Sequence, residues 1–400
     1  MQTDIQHARE VALEILKPSQ KELEHGLELH ENSLVVESYG FAPHPALDND
    51  AIQAAVDAGA SALELQEIVQ DSLMTRMVTD EAQRKIFMDA WDASGVTCVL
   101  QNAGEEGSTV KRLLKRLARF NWTSDMLRDF CPRAVTPDDI VAAKEAGRHC
   151  FYMTGNGVPV PLDFVSVEEE LRFILTFFRL GVRMMHLTYN RRNLIGDGCG
   201  ETTDAGLSDF GHAVVKKMNE VGVIVDVAHS GLKTCYDAAK ASDRPMVVSH
   251  STCAALNNHA RAKTDEVIRA VVDTGGYMGV CCIPAFLGRS GDINAFLDHI
   301  DYMVKTFGAD HVAIGTDVSY DPPQTGERVR QPKTRQRWES HWPEDAFPEK
   351  YRDTTMSESM AWTNWPLFTV GMIQRGHSDD DIQKILGQNV MRVARACFPL

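Results

Sequence analysis

The amino-acid sequence predicts a single (β/α)8 barrel, the fold also called a TIM barrel. Eight short apolar runs alternate, for the most part, with stretches of helical pattern, and this alternation is typical of a parallel sheet. Eight strands favour a closed barrel over an open sheet. The 400 residues fall within the length that such barrels reach as one domain.

Each predicted strand is an apolar run that ends near polar or turn residues. In chain order the strands are predicted at 34–41, 95–102, 150–156, 183–189, 223–229, 245–251, 276–282 and 311–317. Helical patterns between them cover 50–92, 109–120, 167–180, 206–221, 232–242, 265–274 and 292–307. Within the single domain 1–400 we expect an N-terminal helical extension at 1–32, a Pro-rich loop over the active face at 321–354, and C-terminal helices at 355–400.

Composition narrows the class of protein. The net charge of −15 argues against a general basic surface for nucleic acid or for an anionic membrane. No run approaches the ~18 apolar residues of a membrane span, and the N-terminus lacks a secretory pattern. Nine cysteines without a tight CxxC pair indicate reduced thiols. We therefore expect a cytoplasmic protein with a small-molecule substrate; a homodimer is one assembly that the sequence allows.

Three predicted strands end in residues that can bind a metal ion or take part in catalysis. His229 and His250 close two of the apolar runs, and Asp317 closes the last one. The carboxyl ends of barrel strands converge on one face. Two histidines and a carboxylate gathered there can bind a metal ion and activate water. The alternative is three unrelated polar strand ends.

Several segments resemble the renal (membrane) dipeptidase family. They are 180–190, 206–219, 225–230, 248–251, 314–317 and 385–392. The resemblance covers about 165–320 well and the rest loosely, and the motifs are specific only when taken together. It implies an amidohydrolase-type (β/α)8 barrel that holds two zinc ions and a bridging water and hydrolyses dipeptides.

The resemblance assigns roles to four residues of this chain. His229 and His250 match the two histidines of the second zinc. Asp317 matches the aspartate that orients the water and accepts its proton. Arg261 matches the arginine that holds the substrate carboxylate, a role that suits a guanidinium because it pairs with carboxylates in a bidentate way. The alternative for Arg261 is a surface salt bridge.

The chain departs from the family pattern on its other strands. Tyr39 and Phe41 stand where the family has the His-x-Asp of the first zinc, and the segment around Asn156 lacks the bridging glutamate. Tyr189 stands where the family has a histidine that polarises the substrate. We expect Tyr39 and Asn156 to contact the substrate, and Tyr189 to act in catalysis with Asp317.

Strand alternation suggests where further carboxylates lie. Side chains two residues apart share a face of a strand, so Glu37 is predicted to face inward with Tyr39, either in an ion pair or as a metal ligand. His186, which has the opposite parity to Tyr189, is predicted to face the helices. Glu105 and Glu106 follow the second strand, and either one reaches the site or both are exposed loop charges.

Three functions remain open. The first is a mononuclear zinc hydrolase, with one ion on His229 and His250, that cleaves an amide bond of a small carboxylate-bearing substrate. The second is a repurposed barrel enzyme that uses metal-free acid–base chemistry. The third is an inactive binding protein, against which the retained histidines, aspartate and arginine argue. Activity against ordinary L,L-dipeptides is expected to be weak, because a binuclear centre shares its work between two ions.

Overall fold

A computed structural model describes residues 4–104, 109–163, 165–323 and 342–399. Eight parallel strands form one sheet in chain order, as the sequence predicts. The strands are β1 (Val36–Gly40), β2 (Cys98–Asn102), β3 (Cys150–Gly155), β4 (Val182–His186), β5 (Ile224–Asp226), β6 (Val247–Ser251), β7 (Tyr277–Val280) and β8 (Val312–Ile314).

Main-chain hydrogen bonds beyond the last strand close the sheet into a barrel. The amide of Asp317 donates to the carbonyl of Tyr39 at 3.3 Å, and the amide of Phe41 donates to the carbonyl of Val318 at 3.4 Å. The predicted (β/α)8 fold is therefore confirmed. The strands themselves are shorter than predicted, because the runs continue as loops that carry the polar residues over the barrel mouth.

Helices surround the barrel. They are α1 (Asp4–Leu16), α2 (Gln20–Asn32), α3 (Asn49–Asp57), α4 (Ala62–Thr79), α5 (Glu81–Ser94), α6 (Val110–Met126), α7 (Pro137–Glu145), α8 (Val167–Arg179), α9 (Asp209–Val221), α10 (Leu232–Ala241), α11 (Asp265–Asp273), α12 (Pro284–Leu287), α13 (Ile293–Phe307), α14 (Thr354–Ser359), α15 (Trp365–Gln374), α16 (Asp379–Gln383) and α17 (Asn389–Cys397). None of them is long and apolar enough to cross a bilayer.

Local sequence explains several helix ends. Ser19 and Ser61 begin α2 and α4 with capping boxes, in which each serine and the glutamate three residues later satisfy each other's main-chain amides. Gly95 ends α5 in the left-handed conformation, which a residue without a Cβ adopts at little cost. Asp80 caps the start of α5, and so the single helical pattern predicted at 50–92 is divided into separate helices.

The terminal helices pack on different parts of the barrel. His30 of α2 contacts the hydroxyl of Thr369 in α15 at 2.8 Å and the carbonyl of Ser94 at 2.9 Å, which ties the N-terminal and C-terminal helices together. Apolar residues of α17 join the cluster formed by the first residues of the strands. This helix therefore covers the amino end of the barrel, opposite the end where the strands finish.

A β-bulge in β1 overturns the parity argument for Glu37. The register between β1 and β2 shifts between Glu37 and Gly40, so Tyr39 lies with Val36 in the barrel interior. Glu37 lies on the outer face, where its carboxylate accepts hydrogen bonds from Thr316 and, at 2.8 Å, from the indole of Trp362. The prediction that Glu37 shares the face of Tyr39 is wrong, because one extra residue in a strand reverses its alternation.

The prediction for His186 is also wrong. It assumes regular alternation up to Tyr189, but β4 ends at His186 itself. The residues that follow form a loop, so parity does not carry across them. His186 is buried inside the barrel, and its ring centroid lies 5.0 Å from that of Tyr39. The predicted glutamates Glu105 and Glu106 lie outside the described residues.

The nine cysteines are all free thiols, as predicted. Eight of them are buried, and burial raises the pKa of the Cys281 thiol to about 12. A thiol with such a pKa is protonated at neutral pH and is a poor nucleophile.

Candidate active site

His229, His250 and Asp317 come together at the carboxyl end of the barrel. The Nε2 atoms of the two histidines lie 3.0 Å apart, and His250 Nε2 lies 3.9 Å from the Asp317 carboxylate. Asp317 has a φ of 60°, a left-handed conformation that is uncommon outside glycine and that clusters at functional sites. The backbone turn at Asp317 places its carboxylate over the mouth, where 21% of the side chain is exposed.

Neighbouring oxygens orient both imidazole rings. His229 Nδ1 lies 2.7 Å from the Asn190 side-chain oxygen, and His250 Nδ1 lies 2.8 Å from the Ser249 hydroxyl oxygen. That hydroxyl already donates to Asp226, so it accepts from His250. Both Nδ1 atoms therefore carry the proton, and both Nε2 atoms present lone pairs to each other.

The surroundings keep these rings neutral. Burial, followed by the nearby guanidinium of Arg261, holds the pKa of His229 and of His250 well below the ordinary histidine value. Neutral imidazole is the form that binds metals. Two lone pairs that face each other at 3.0 Å repel unless a cation lies between them.

The donor set fits one metal ion. Two nitrogens bound to a tetrahedral zinc at ~2.0–2.1 Å lie about 3.3 Å apart, close to the observed separation of the Nε2 atoms. The Asp317 carboxylate lies beside this pair of nitrogens, 3.9 Å from His250 Nε2. Hydrogen bonds to the Nδ1 atoms of both rings are the usual support of zinc-bound histidines.

A second group of donors lies deeper in the barrel. His186, Asp226 and His250 bring one donor atom each within 4.8 Å of one another. However, His186 Nε2 lies 2.6 Å from the Asp226 carboxylate, which is closer than two ligands of one tetrahedral ion. We interpret this contact as a direct ion pair beneath the site.

Asp226 is the centre of a buried polar chain. Its carboxylate accepts hydrogen bonds from the Ser249 hydroxyl, from the Ser249 amide at 3.1 Å and from the Ala228 amide at 3.0 Å. Burial opposes ionisation, but His186 and Ser249 outweigh it and hold the pKa of Asp226 below its ordinary value. On the other side, His186 Nδ1 lies 2.5 Å from the Asn156 side-chain oxygen.

The sequence analysis did not identify several residues of this buried hydrogen-bonded network. Asn190, Ser249, Asp226 and His186 all support the two histidines or the ion pair below them. Asp226 had a visible signal, because a carboxylate inside an apolar strand is buried and therefore needs a partner. The other three had no such signal, because polar residues are common at their positions: His186 ends β4, Asn190 lies in the loop after it, and Ser249 lies within β6.

The predicted aromatic residues do gather at the site. The ring of Tyr39 stacks on His250 with centroids 4.1 Å apart, and the ring of Tyr189 stacks on His229 at the same distance. Phe41 contacts Tyr39 edge-on at 6.0 Å. Each histidine thus has a tyrosine ring over one face, which limits its rotation.

Arg261 lies behind the two histidines. It is fully buried, so the alternative of a surface salt bridge is excluded. Its guanidinium donates to the carbonyl of Ala228 and, at 3.3 Å, to the carbonyl of His250. One of its terminal nitrogens lies 3.4 Å from His229 Nε2, and Phe286 packs on it with the ring centroid 5.7 Å away.

Two cavities open at this face of the barrel. The smaller, of about 220 Å³, is lined by Tyr39, Asn156, Tyr189, His229 and Asp317 together with residues that follow β2. The larger, of about 640 Å³, lies between the β8 loop and the first turns of α1. Phe41 and Asp317 line both, so the predicted catalytic aspartate stands at their junction.

The described end of the Pro-rich segment packs beside the site. The ring of Trp342 lies 6.4 Å from that of His229 and 5.5 Å from that of Phe286. The carbonyl of Ala346 is 2.9 Å from His259 Nε2. These contacts cover the side of the mouth formed by the loops after β5 to β7.

Comparisons with known families and proteins agree with this architecture. The model of the family described as membrane dipeptidase (peptidase family M19) matches residues 53–327. The chain is 27% identical over 278 residues to the dipeptidase tcpJ of Claviceps purpurea, a match that covers 68% of this chain and 56% of that protein. It is 28% identical over 219 residues to the dipeptidase verJ of Clonostachys rogersoniana, a match that covers 54% of this chain and 48% of that protein. The chain spans about half the length of these curated relatives.

Among solved structures, an amidohydrolase from Pseudomonas aeruginosa is similar over 94% of this chain and 99% of its own. The two share 22% sequence identity, and the TM-score is 0.69. At this identity the similarity supports the barrel fold, whereas function has to be argued from the site.

Proposed function

The chain belongs to the membrane dipeptidase family (peptidase family M19), and we propose that it is a dipeptidase-like, metal-dependent hydrolase with one metal ion instead of two. The proposed reaction is cleavage of an amide bond in a small substrate that bears a carboxylate. The observation that carries the proposal is the pair of inward-facing Nε2 atoms of His229 and His250, 3.0 Å apart.

We propose that His229 and His250 hold this ion, with Asp317 beside them. When bound, zinc at this position would lower the pKa of a water molecule and polarise the substrate carbonyl. The stacked tyrosines and the hydrogen bonds to both Nδ1 atoms hold the rings in position. Rings held in this way need little reorganisation to bind an ion.

The proposed chemistry is a general-base hydrolysis. Asp317 takes a proton from water as the water oxygen bonds to the amide carbon, and the proton then passes to the leaving nitrogen as the C–N bond breaks. The products are a carboxylic acid and an amine. Tyr189, which lines the same cavity, is proposed to donate a hydrogen bond to the carbonyl oxygen, while Tyr39 and Asn156 contact the substrate.

The proposal of a single ion rests on the first three strands. Their ends place Tyr39, Phe41, Asn102 and Asn156 at the cavity. A phenyl ring cannot bind a metal, and neutral phenol and amide groups are weak ligands beside imidazole and carboxylate. Asn156 is moreover in contact with His186.

A second candidate function is metal-free acid–base catalysis. The guanidinium of Arg261 lies 3.4 Å from His229 Nε2 and places a positive charge close to the proposed ion. In that case a proton shared by His229 and His250 would replace the metal, with Asp317 as the base. An inactive binding protein is the remaining alternative.

Metal analysis of the purified protein distinguishes these functions. We expect about one zinc per chain, lost in His229→Ala and kept in the control His25→Ala, whose ring pairs with Asp379 at the surface. Two ions per chain would contradict the single-ion proposal, and none would favour either the metal-free enzyme or the inactive binding protein. A screen of dipeptides, N-acyl amino acids and lactams then separates a hydrolase from a binding protein.

A further inference from the structure

We infer that Glu37 is a positioning residue for catalysis, which holds the backbone turn that carries Asp317. It acts from the outer face of β1, behind the barrel mouth. The inference rests on the proposed function, because that function makes Asp317 the general base.

The carboxyl group of Glu37 is fully buried, and both of its oxygens accept hydrogen bonds. One oxygen accepts from the amide of Thr316 at 3.2 Å and also from the hydroxyl of the same residue. The other oxygen accepts from the indole of Trp362 at 2.8 Å. A polar group without access to water is costly unless it is paired, so these bonds hold the carboxyl group in one place and hold Thr316 against it.

Thr316 is the residue before Asp317 and takes part in the turn with its side chain. Its hydroxyl accepts from the amide of Val318 at 3.3 Å, so it bonds to the residue on the far side of Asp317 as well as to Glu37. Between them, Asp317 has a φ of 60°. This left-handed conformation is unfavourable for a residue with a Cβ and persists only where the surroundings fix it. Glu37 supplies part of that support through Thr316.

The bulge in β1 makes room for this arrangement. It sends Glu37 to the outer face of the barrel, while Tyr39 stays in the interior and accepts from the amide of Asp317 through its carbonyl. Gly40 lies against the carboxyl group of Glu37, and a Cβ at this position would stand 2.1 Å from one of its oxygens. The absence of a side chain at Gly40 therefore allows Glu37 to reach Thr316.

Glu37 can affect the reaction only through its neighbours. It is not among the described residues that line either cavity, whereas Asp317 lines both. A general base has to keep its carboxylate within hydrogen-bond distance of the proton that it takes, and a displacement of about 1 Å can lower a rate by about 10²-fold. Loss of Glu37 should therefore reduce turnover more than substrate binding.

Hydrogen exchange tests the positioning role without any substrate. Glu37→Leu removes both acceptor oxygens, and Gly40→Ala keeps Glu37 but displaces its carboxyl group. We expect the amides of 316–318 to exchange about tenfold faster in both variants, because the turn loses hydrogen bonds that hold it closed. Mass spectrometry of short peptides that span 316–318 measures this rate.

Two further variants serve as rescue and control. Burial raises the pKa of Glu37 to about 8, so the group is mostly neutral at neutral pH, and Glu37→Gln keeps an oxygen that can accept from Thr316. This variant should exchange at nearly the wild-type rate. Glu170→Gln is the matched control, since Glu170 is also buried and accepts from a main-chain amide, that of Leu162, at 2.9 Å. It should leave the amides of 316–318 unchanged.

Kinetics test the catalytic consequence, with whichever dipeptide, N-acyl amino acid or lactam of the screen is hydrolysed. Glu37→Leu should lower kcat by about 10- to 100-fold and change KM by less than about twofold, and Glu37→Gln should restore most of the rate. In the Asp317→Asn background, Glu37→Leu should lower the rate no further, because it acts through that residue. General disorder of the barrel would lower the rate in both backgrounds.

The inference is overturned if the amides of 316–318 exchange at the wild-type rate in Glu37→Leu, or if this substitution lowers kcat equally with and without Asp317. If Glu37→Leu does not fold, Gly40→Ala decides by the same two criteria. Absence of hydrolysis by the wild type would contradict the proposed function, and the exchange rates would still decide whether Glu37 holds the turn.

Discussion

The two halves of the barrel mouth are built alike but carry different chemistry. The strand ends from β5 to β8 present His229, His250 and Asp317, which suit a cation. The ends of β1 and β3 present Tyr39, Phe41 and Asn156, which offer rings and an amide. Both halves rest on the same closed sheet, so one arrangement of strands presents imidazole and carboxylate groups on one side of the mouth and aromatic and amide groups on the other.

The two halves also depend on each other. Tyr39 from the first half stacks on His250 of the second, and the contact between His186 and Asp226 joins the deeper layer of β4 and β5. The aromatic half thus serves as a support for the histidine half. Substitutions in each half, and the dependence of stability on pH, test this division.

Asp317→Asn should lower kcat/KM by about 10²–10⁴, the contribution of a general base, and leave the fold intact. Asparagine has the size of aspartate but cannot take a proton at neutral pH. Rate and melting temperature should be measured on one preparation, with Asp310→Asn, at a surface pair with Lys384, as control. A folded Asp317→Asn enzyme with nearly full turnover would remove Asp317 from the mechanism.

His186→Ala should destabilise the protein by about 3 kcal/mol or more, because it leaves the carboxylate of Asp226 buried without its charged partner. Urea unfolding of the variant gives the free energy. His311→Ala is a suitable comparison, since that ring is only partly buried and contacts a main-chain carbonyl. Equal losses in the two variants would show that the ion pair has no special structural role.

Glu37 should make stability depend on pH. Burial raises its pKa to about 8 from 4.5, so between these values the folded state binds a proton that the unfolded state has released. This contribution to stability is complete below about pH 4.5 and is lost as pH rises toward 8. Melting temperatures measured across this range should show a decline that Glu37→Gln flattens; parallel curves for the two proteins would contradict the assignment.

The two tyrosines should differ in their effect on rate. Tyr189→Phe keeps the ring stacked on His229 but loses the proposed hydrogen bond to the substrate. We expect kcat to fall about tenfold, because a neutral hydrogen bond stabilises the transition state by about 1 kcal/mol. Tyr39→Phe keeps its stacking on His250 and should leave kcat within about twofold. If Tyr39→Phe is the slower enzyme, the aromatic half takes part in the chemistry and is more than a support for the histidines.

The sequence predicts the fold and the proximity of three strand-end residues of the candidate site, because both follow from local patterns. Apolar runs alternate with stretches of helical periodicity, and this alternation predicts eight parallel strands that follow one another around the barrel in chain order. His229, His250 and Asp317 each end a predicted run, and parallel strands bring their ends to one face. Motifs similar to those of the dipeptidase family supplied the expectation of a metal, and the family itself is confirmed.

Only the tertiary structure decided which side chains contact one another below and around the mouth. A bulge in β1 sends Glu37 outward, and the end of β4 at His186 turns that ring inward to Asp226. Arg261 is fully buried behind the histidines, and Arg116 from α6 lines the small cavity. Periodicity describes a strand as long as it is regular. Bulges, strand ends and the packing of distant segments break that regularity, and these features depend on the whole chain.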